Sequence, residues 1–113
     1  MPSLINNFSQ KVYNSCSQIP TGYVSTYKHI ADFLHISPRV VGQVLKNNPY
    51  LEVPCHRVIA SNYFVGGFRG EWGKGEKVAD KKNQLAAEGV FFDLRGYLTK
   101  ELRDKAIFQN FHE

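Results

Sequence analysis

Thr26-Tyr27-Lys28-His29-Ile30-Ala31-Asp32-Phe33-Leu34-His35-Ile36-Ser37-Pro38-Arg39-Val40-Val41-Gly42-Gln43-Val44-Leu45-Lys46 is the stretch that decides the fold. Tyr27, Ile30, Ala31 and Leu34 recur at the helical period, which predicts a helix over 26–35. Ser37-Pro38 is a start signal: a capping hydroxyl followed by proline at the first helical position, where a missing N–H costs nothing. The helix it opens runs to about Lys46 and stops at Asn47-Asn48-Pro49. Only His35, Ile36 and Ser37 separate the two, and two short helices across a tight turn form a helix-turn-helix. Gly42 sits inside the second of these helices, where glycine costs about 0.8–1 kcal/mol against alanine. That cost implies a close approach, either of the partner helix or of a ligand.

Upstream, Leu4, Ile5, Phe8, Val12 and Cys16 predict a first helix over 3–17, with Ser3 as its cap. Ile19-Pro20-Thr21-Gly22 breaks it, and Tyr23-Val24-Ser25 reads as a short extended piece. Downstream, residues 51–54 and 57–59 read as extended, and the glycine-rich run 61–75 as a loop. A fourth helix is expected from Glu76 to Glu88, with Val78, Leu85 and Ala86 buried and Gly89 as its cap. Phe91-Phe92 reads as a core strand and 100–111 as a terminal helix. The expected class is mainly α with a small β element: one winged-helix-like domain spanning 1–113.

At 113 residues the chain can bury a core without metals or disulfides. Two cysteines make no disulfide framework and imply free thiols in a reducing, intracellular setting. The apolar runs are too short to span a bilayer, and the first residues carry no secretory pattern, so no membrane role is expected. The net charge of +4 is compatible with nucleic acid, and its placement says more. Residues 1–50 hold four basic side chains (Lys11, Lys28, Arg39, Lys46) against Asp32 alone, whereas residues 51–113 are nearly balanced. The basic bias therefore lies in the half that carries the helix-turn-helix.

The chemistry is concentrated in Pro54-Cys55-His56-Arg57-Val58. Cysteine nucleophiles act as thiolates, and a nearby base or cation favours that form. A cysteine is nevertheless more often a small buried hydrophobe, and a Cys-His dipeptide alone is weak evidence. On extended backbone, Cys55 and His56 would point to opposite faces, so a turn or a bridging water is needed to join them. His56 in turn needs a carboxylate, for which Glu88 is preferred, although spacing does not separate it from Glu71, Glu76 or Asp80. Arg57 is either a cation for the thiolate or a structural tether, the second being favoured. The four histidines and two cysteines lack metal-ligand spacing, so neither metal nor cofactor is expected. Gly66-Gly67-Phe68-Arg69-Gly70 lacks the ending of a phosphate loop and reads as a wall that lets backbone approach a small ligand. Cys16, on the apolar face of the first helix, reads as core.

In this order the motifs resemble the O6-alkylguanine-DNA alkyltransferases, or methylated-DNA–protein-cysteine methyltransferases. The resemblance rests on Pro54-Cys55-His56-Arg57-Val58-Ile59 and on Ile19-Pro20-x-Gly22-x-Val24-x-Thr26-Tyr27. Pro38-Arg39-Val40-Val41-Gly42, Asn48-Pro49, Gly66-Gly67-Phe68 and Glu88-Gly89 extend it over roughly residues 5–92. It implies that Cys55 accepts the alkyl group, that His56 takes the thiol proton through a water, and that Glu88 orients His56. It further implies that Tyr27 donates a proton toward the leaving guanine and that Asn48 holds the turn bearing Cys55. Arg39 would fill the gap left by the flipped base, since a thiol cannot reach a base inside the stack. Substrate and DNA contacts would come from Ser37, Arg39, Gly42 and Lys46 around the recognition helix, and from Val58, Gly66, Gly67, Phe68 and Arg69.

The implied partner is double-stranded DNA containing alkylated guanine, met by a monomer, with a repair-protein partner left open. Three departures from the family are expected: the N-terminal domain that many members carry is missing, Phe68 stands where tyrosine is usual, and Arg69-Gly70-Glu71-Trp72-Gly73 is not the common sequence. Competing readings are an alkyltransferase-like lesion sensor, in which Cys55 is idle, and a winged-helix transcription factor, in which it is merely buried. A cysteine hydrolase would leave Arg39 and the helix-turn-helix without a role.

Overall fold

A computed structural model describes the backbone of residues 3–113 and the side chains of residues 8–113. The expected roles of Ser3, Leu4 and Ile5 lie outside the described side chains. The elements run α1 (Ser3–Cys16), β1 (Ser25–Thr26), α2 (Tyr27–Leu34), α3 (Pro38–Lys46), a 3-10 turn (Cys55–Arg57) and β2 (Val58–Ile59). There follow β3 (Gly67–Phe68), β4 (Glu71–Trp72), α4 (Glu76–Ala87) and α5 (Lys100–Lys105). The chain is thus mainly helical, with small sheets built around a helix-turn-helix.

The local chemistry accounts for the helix-turn-helix. Thr26 caps α2 by accepting the His29 N–H at 2.9 Å, and Ser37 caps α3 by accepting the Val40 N–H at 3.3 Å. Between them His35 turns the chain at φ 60, a left-handed conformation that histidine adopts more readily than most side chains. Ile36 N–H then closes on Ala31 O at 3.0 Å, which ends α2. Ile30 and Ala31 of α2 and Val41 and Leu45 of α3 bury their apolar faces with Val12, Tyr13 and Cys16 of α1. Phe8, on the same predicted face of α1, is exposed.

Two strand pairs position the site. β1 and β2 are parallel, with Ser25 opposite Val58 and Thr26 opposite Ile59, so the start of α2 lies beside the turn that bears Cys55. β3 and β4 form a hairpin inside the segment read from sequence as loop. Its two-residue turn, Arg69-Gly70, has positive φ at both positions (49 and 98), the sign that matches the twist of flanking strands. The hairpin escapes a pattern reading because each strand is only two residues long.

α4 ends in a Schellman motif: Val90 N–H reaches Leu85 O and Gly89 N–H reaches Ala86 O, with Gly89 left-handed at φ 89. Its buried face is Val78, Lys81 and Leu85, while Ala86 is exposed. A second core joins Leu85 and Val90 to Val24, Ile59 and Leu98. Phe91 and Phe92 do not form a core strand: Phe91 is exposed, Phe92 makes one isolated bridge to Leu98, and Val90 fills the core position instead. The terminal helix is also shorter than its pattern suggests. After Lys105 the backbone pairs with Val24, through Val24 N–H to Ala106 O (2.8 Å) and Phe108 N–H to Val24 O (2.7 Å). No helix among the described residues is long and apolar enough to cross a membrane.

Candidate active site

Cys55 begins a 3-10 turn rather than continuing a strand. Asn48, buried at the end of the α3 segment, shapes the approach to it. Its amide oxygen accepts from Tyr50 N–H at 2.9 Å, and its Nδ2 donates to Tyr50 O at 3.0 Å and Val53 O at 3.5 Å. These bonds satisfy the loop backbone over 50–53, so that 51–54, which the sequence suggests is extended, forms a turn instead.

The turn places His56 and Arg57 on one carboxylate. His56 Nε2 lies 2.9 Å from Glu88 Oε2, and Arg57 clamps both Glu88 oxygens from Nε (3.0 Å) and Nη2 (2.9 Å). Arg57 also donates to Ile19 O at 2.9 Å and to Thr21 Oγ1 at 3.0 Å, joining the α1–β1 loop to the end of α4. Burial alone would raise the Glu88 carboxyl, but hydrogen bonds from Arg57 and His56 outweigh it and hold the group below its ordinary value. Burial pushes His56 below its ordinary value, against the opposing pull of Glu88. His56 is therefore neutral at pH 7, with its proton on Nε2 toward the carboxylate and the lone pair on Nδ1. Among the described residues no direct hydrogen bond joins the Cys55 sulfur to this ring.

In front of the turn lies a cavity of about 420 Å³ between α3 and the β3–β4 hairpin. Cys55, only 7 % exposed, contributes to its lining together with Tyr27, Arg39, Gly42, Phe68 and Trp72. The Tyr27 hydroxyl donates to Gly67 O at 3.3 Å, and burial pushes its phenol up to about 12, so it enters any reaction near neutral pH as a proton donor. A Cβ on Gly42 would meet nothing within 4 Å, so this glycine is not there for helix packing; it leaves the cavity wall open. Arg39, Gln43 and Lys46 are exposed on the same side of α3.

The structure thus brings together Cys55, Tyr27, Arg39, Gly42, Lys46, Gly67, Phe68 and Arg69 around one cavity, with His56 on the turn paired to Glu88 at the end of α4. Other residues named from sequence fall elsewhere. Val58 is fully buried in the core, Gly66 is buried beneath Tyr27, and Ser37 is occupied as the cap of α3. Cys16 is wholly buried, and burial pushes its thiol up.

Sequence reasoning missed Lys81. It is fully buried, and its Nζ donates to Val58 O (2.7 Å), Val65 O (2.7 Å) and Gly67 O (2.9 Å). One ammonium thereby ties β2, next to the cysteine turn, to the hairpin wall and to the carbonyl that also binds Tyr27. Burial pushes Lys81 down to about 7, while three carbonyl acceptors call for all three of its protons. Its spacing with Val78 and Leu85 was the available signal, hidden within a charged run.

Among the described residues no cluster of His, Cys, Asp or Glu could hold a metal ion. With the fold and site in view, comparison with known proteins gives the class: residues 7–90 match the family described as 6-O-methylguanine DNA methyltransferase, DNA binding domain, and the chain belongs to that family. It is 44 % identical over 87 residues to a methylated-DNA–protein-cysteine methyltransferase of Sulfolobus acidocaldarius, covering 76 % of this chain and 52 % of the relative. It therefore spans about half the length of the curated relatives it matches. The O6-methylguanine-DNA methyltransferase structure from the archaeon Pyrococcus kodakaraensis is similar at TM-score 0.58 and 41 % identity, over 74 % of this chain and 46 % of that one. S. pombe Atl1, crystallised with damaged DNA containing O6-carboxymethylguanine, is similar at TM-score 0.71 and 30 % identity, over 91 % of this chain and 95 % of that one.

Proposed function

We propose that residues 1–113 act as one domain that repairs O6-alkylated guanine in double-stranded DNA by moving the alkyl group irreversibly to Cys55. The observation that carries the reading is the placement of Cys55 on the lining of an open cavity, with His56 on its own turn paired to Glu88 at the end of α4. The cavity lies beside the recognition helix, which is where a base rotated out of the duplex would arrive. The carbon attached to guanine O6 forms a bond to the Cys55 sulfur as its bond to O6 breaks. The thiol proton passes through a water to His56 Nδ1, and Glu88, held ionised by Arg57, steadies the imidazolium. Tyr27 gives its hydroxyl proton to the departing base, so that guanine leaves neutral. The thioether is stable, so each molecule acts once, and no cofactor enters.

Arg39 fills the space vacated by the base, while Gln43 and Lys46 on the same face of α3 approach the backbone. Phosphate neutralisation by the cations among them, Arg39 and Lys46, makes affinity fall with salt. The protein works as an intracellular monomer, and a repair protein that recognises the occupied complex would be its further partner.

The test is the intact mass after incubation with a short duplex containing O6-methylguanine. Replacement of one hydrogen by methyl, mapped to Cys55 and absent from Cys55→Ser, is expected. A second reading, lesion binding without transfer, is favoured by the near-full-length likeness to Atl1. Unchanged mass with tight, lesion-selective binding would establish it, and unchanged mass without selectivity would refute both.

A further inference from the structure

The segment 106–112 lies outside the stretch that matches the family, 7–90, and none of it lines the cavity. It is nevertheless firmly held. Both backbone groups of Val24 are paired with it, as Val24 N–H to Ala106 O at 2.8 Å and Phe108 N–H to Val24 O at 2.7 Å. Both ends of the Gln18 amide grip it further on: Nε2 donates to His112 O at 2.7 Å, and Oε1 accepts from His112 N–H at 3.0 Å. Neighbouring residues on extended backbone point to opposite faces. Ile107 accordingly packs against the core of Leu85 and Val90, and Phe108 against the core of Ile30 and Cys55. Phe111 packs against that core too, its ring 5.1 Å from Phe108 and 5.7 Å from Phe33 of α2.

The segment is thus a strap, fastened just before one end of α2 and near the other. Val24 stands three residues before Tyr27, which opens α2, and the intervening Ser25 and Thr26 are paired with β2. Phe33 stands six residues after Tyr27, about 9 Å along the helix axis. Two anchors that far apart fix the roll of a short helix. At a side-chain radius of about 5–6 Å, a roll of about 10° moves a side chain by about 1 Å. The Tyr27 hydroxyl depends on that roll, because its own bond to Gly67 O, 3.3 Å, is long for an O–H donor and holds it weakly.

We propose, on the basis of the alkyl-transfer reading above, that the strap 106–112 sets the roll of α2, and that Phe111 is the positioning residue through which it aims the Tyr27 hydroxyl at the departing guanine. Phe111 takes no part in the chemistry and acts through Phe33 and the helix. A misplacement of about 1 Å, caused by a change remote from the reacting atoms, can cost about 100-fold in rate.

The experiment measures single-turnover transfer from a duplex containing O6-methylguanine, over a range of DNA concentrations and well below each melting temperature. The proteins are the unmodified chain, Phe111→Ala, Gln18→Ala, Tyr27→Phe and the double variant of Phe111→Ala with Tyr27→Phe. Phe111→Ala should lower the maximal rate by about 10- to 100-fold and leave the half-saturating DNA concentration within about threefold. Gln18→Ala, which frees the strap at His112 and leaves both cores filled, should act in the same direction and by less. In the Tyr27→Phe background there is no hydroxyl to aim, so adding Phe111→Ala should cost less than about threefold. Equal fractional losses in both backgrounds, or no loss in either, would overturn the proposal and leave the transfer reading standing. So would a raised half-saturating concentration with the maximal rate unchanged.

The aim is read without transfer through the phenol of Tyr27, which burial pushes from 10.0 up to about 12. Tyrosinate absorbance, taken for each protein as the difference from its Tyr27→Phe counterpart, should begin to rise at lower pH in Phe111→Ala and Gln18→Ala. A helix free to roll lets water reach the ring. If the protein transfers no alkyl group yet this titration moves with the strap, the transfer reading fails and the strap stands. A titration unmoved in both variants would overturn the strap whatever the transfer result.

Discussion

Glu88→Ala tests the geometry of the site most severely, because one carboxylate holds three donors. The substitution removes Arg57 Nε–Oε1 at 3.0 Å, Arg57 Nη2–Oε2 at 2.9 Å and His56 Nε2–Oε2 at 2.9 Å. The Arg57 and Glu88 side chains are only 16 % and 15 % exposed, so solvent replaces little of what is lost. Breaking such a pair by deleting one partner costs about 3–5 kcal/mol. Arg57 keeps Ile19 O and Thr21 Oγ1, which places the expected loss at the lower end, about 3 kcal/mol. For a domain of this size, that corresponds to a fall in melting temperature of roughly 12 °C.

Acid sensitivity should change with it. The folded Glu88 carboxyl lies below its ordinary value of 4.5, so its stabilisation is complete above that pH and is lost as pH falls through the folded value. Glu88→Ala should therefore destabilise strongly at pH 7 and much less near pH 2, while Glu88→Gln, which retains one acceptor, falls between. Deprived of its partner, His56 no longer has a fixed tautomer, and single-turnover transfer well below the melting temperature should slow by about 100-fold, the lower range for a positioned general base. Calorimetry across pH and rapid-quench transfer assays provide both measurements. A variant that melts within about 2 °C of the parent at pH 7 would refute the buried-pair argument. A normal transfer rate in a correctly folded variant would refute the role given to His56.

Arg39→Ala should preserve the melting temperature, because Arg39 is exposed on α3, and should weaken binding to lesion-containing duplex; unchanged affinity would remove Arg39 from the interface. The logarithm of affinity should fall linearly with the logarithm of salt concentration, and a flat response would argue against a phosphate-contacting surface. Lys81→Met probes the buried ammonium: its folded value of about 7, below the ordinary 10.5, means that the parent gains stability as pH rises between them. The variant should lack that component in calorimetric scans at pH 7 and pH 9, and parallel pH dependences in the two proteins would show that Lys81 does not titrate there.

The elements legible in the sequence were those with strong local signals. Ser37-Pro38 marks the start of α3, Asn47-Asn48-Pro49 its end, and Gly89 the end of α4, because capping and left-handed turns are short-range chemistry. What the sequence hid was set by distant partners. The 3-10 turn at Cys55 depends on Asn48, and the hairpin depends on a close fit of Gly67 against Trp72. Lys81 looks like one more surface cation until three carbonyls from two other segments converge on it. The apolar pattern over 100–111 is real, but pairing with Val24 overrides helix propensity beyond Lys105. At the site, Cys55 and His56 could be picked out by adjacency, whereas choosing Glu88 from the available carboxylates required the fold to bring residue 88 back to residue 56.

That return has a consequence for how the protein is made. Arg57 is held by Ile19 and Thr21 on one side and by Glu88 on the other, partners 31 to 38 residues away along the chain. Synthesis proceeds from the N-terminus, and the helix-turn-helix leaves the ribosome well before α4 does. During that interval the turn bearing Cys55 has neither its carboxylate nor its buried lysine. A nascent chain stalled before residue 81 would carry the helix-turn-helix with the Cys55 turn still unsupported. The order of the sequence thus delays assembly of the Cys55 turn until the scaffold that holds it is complete.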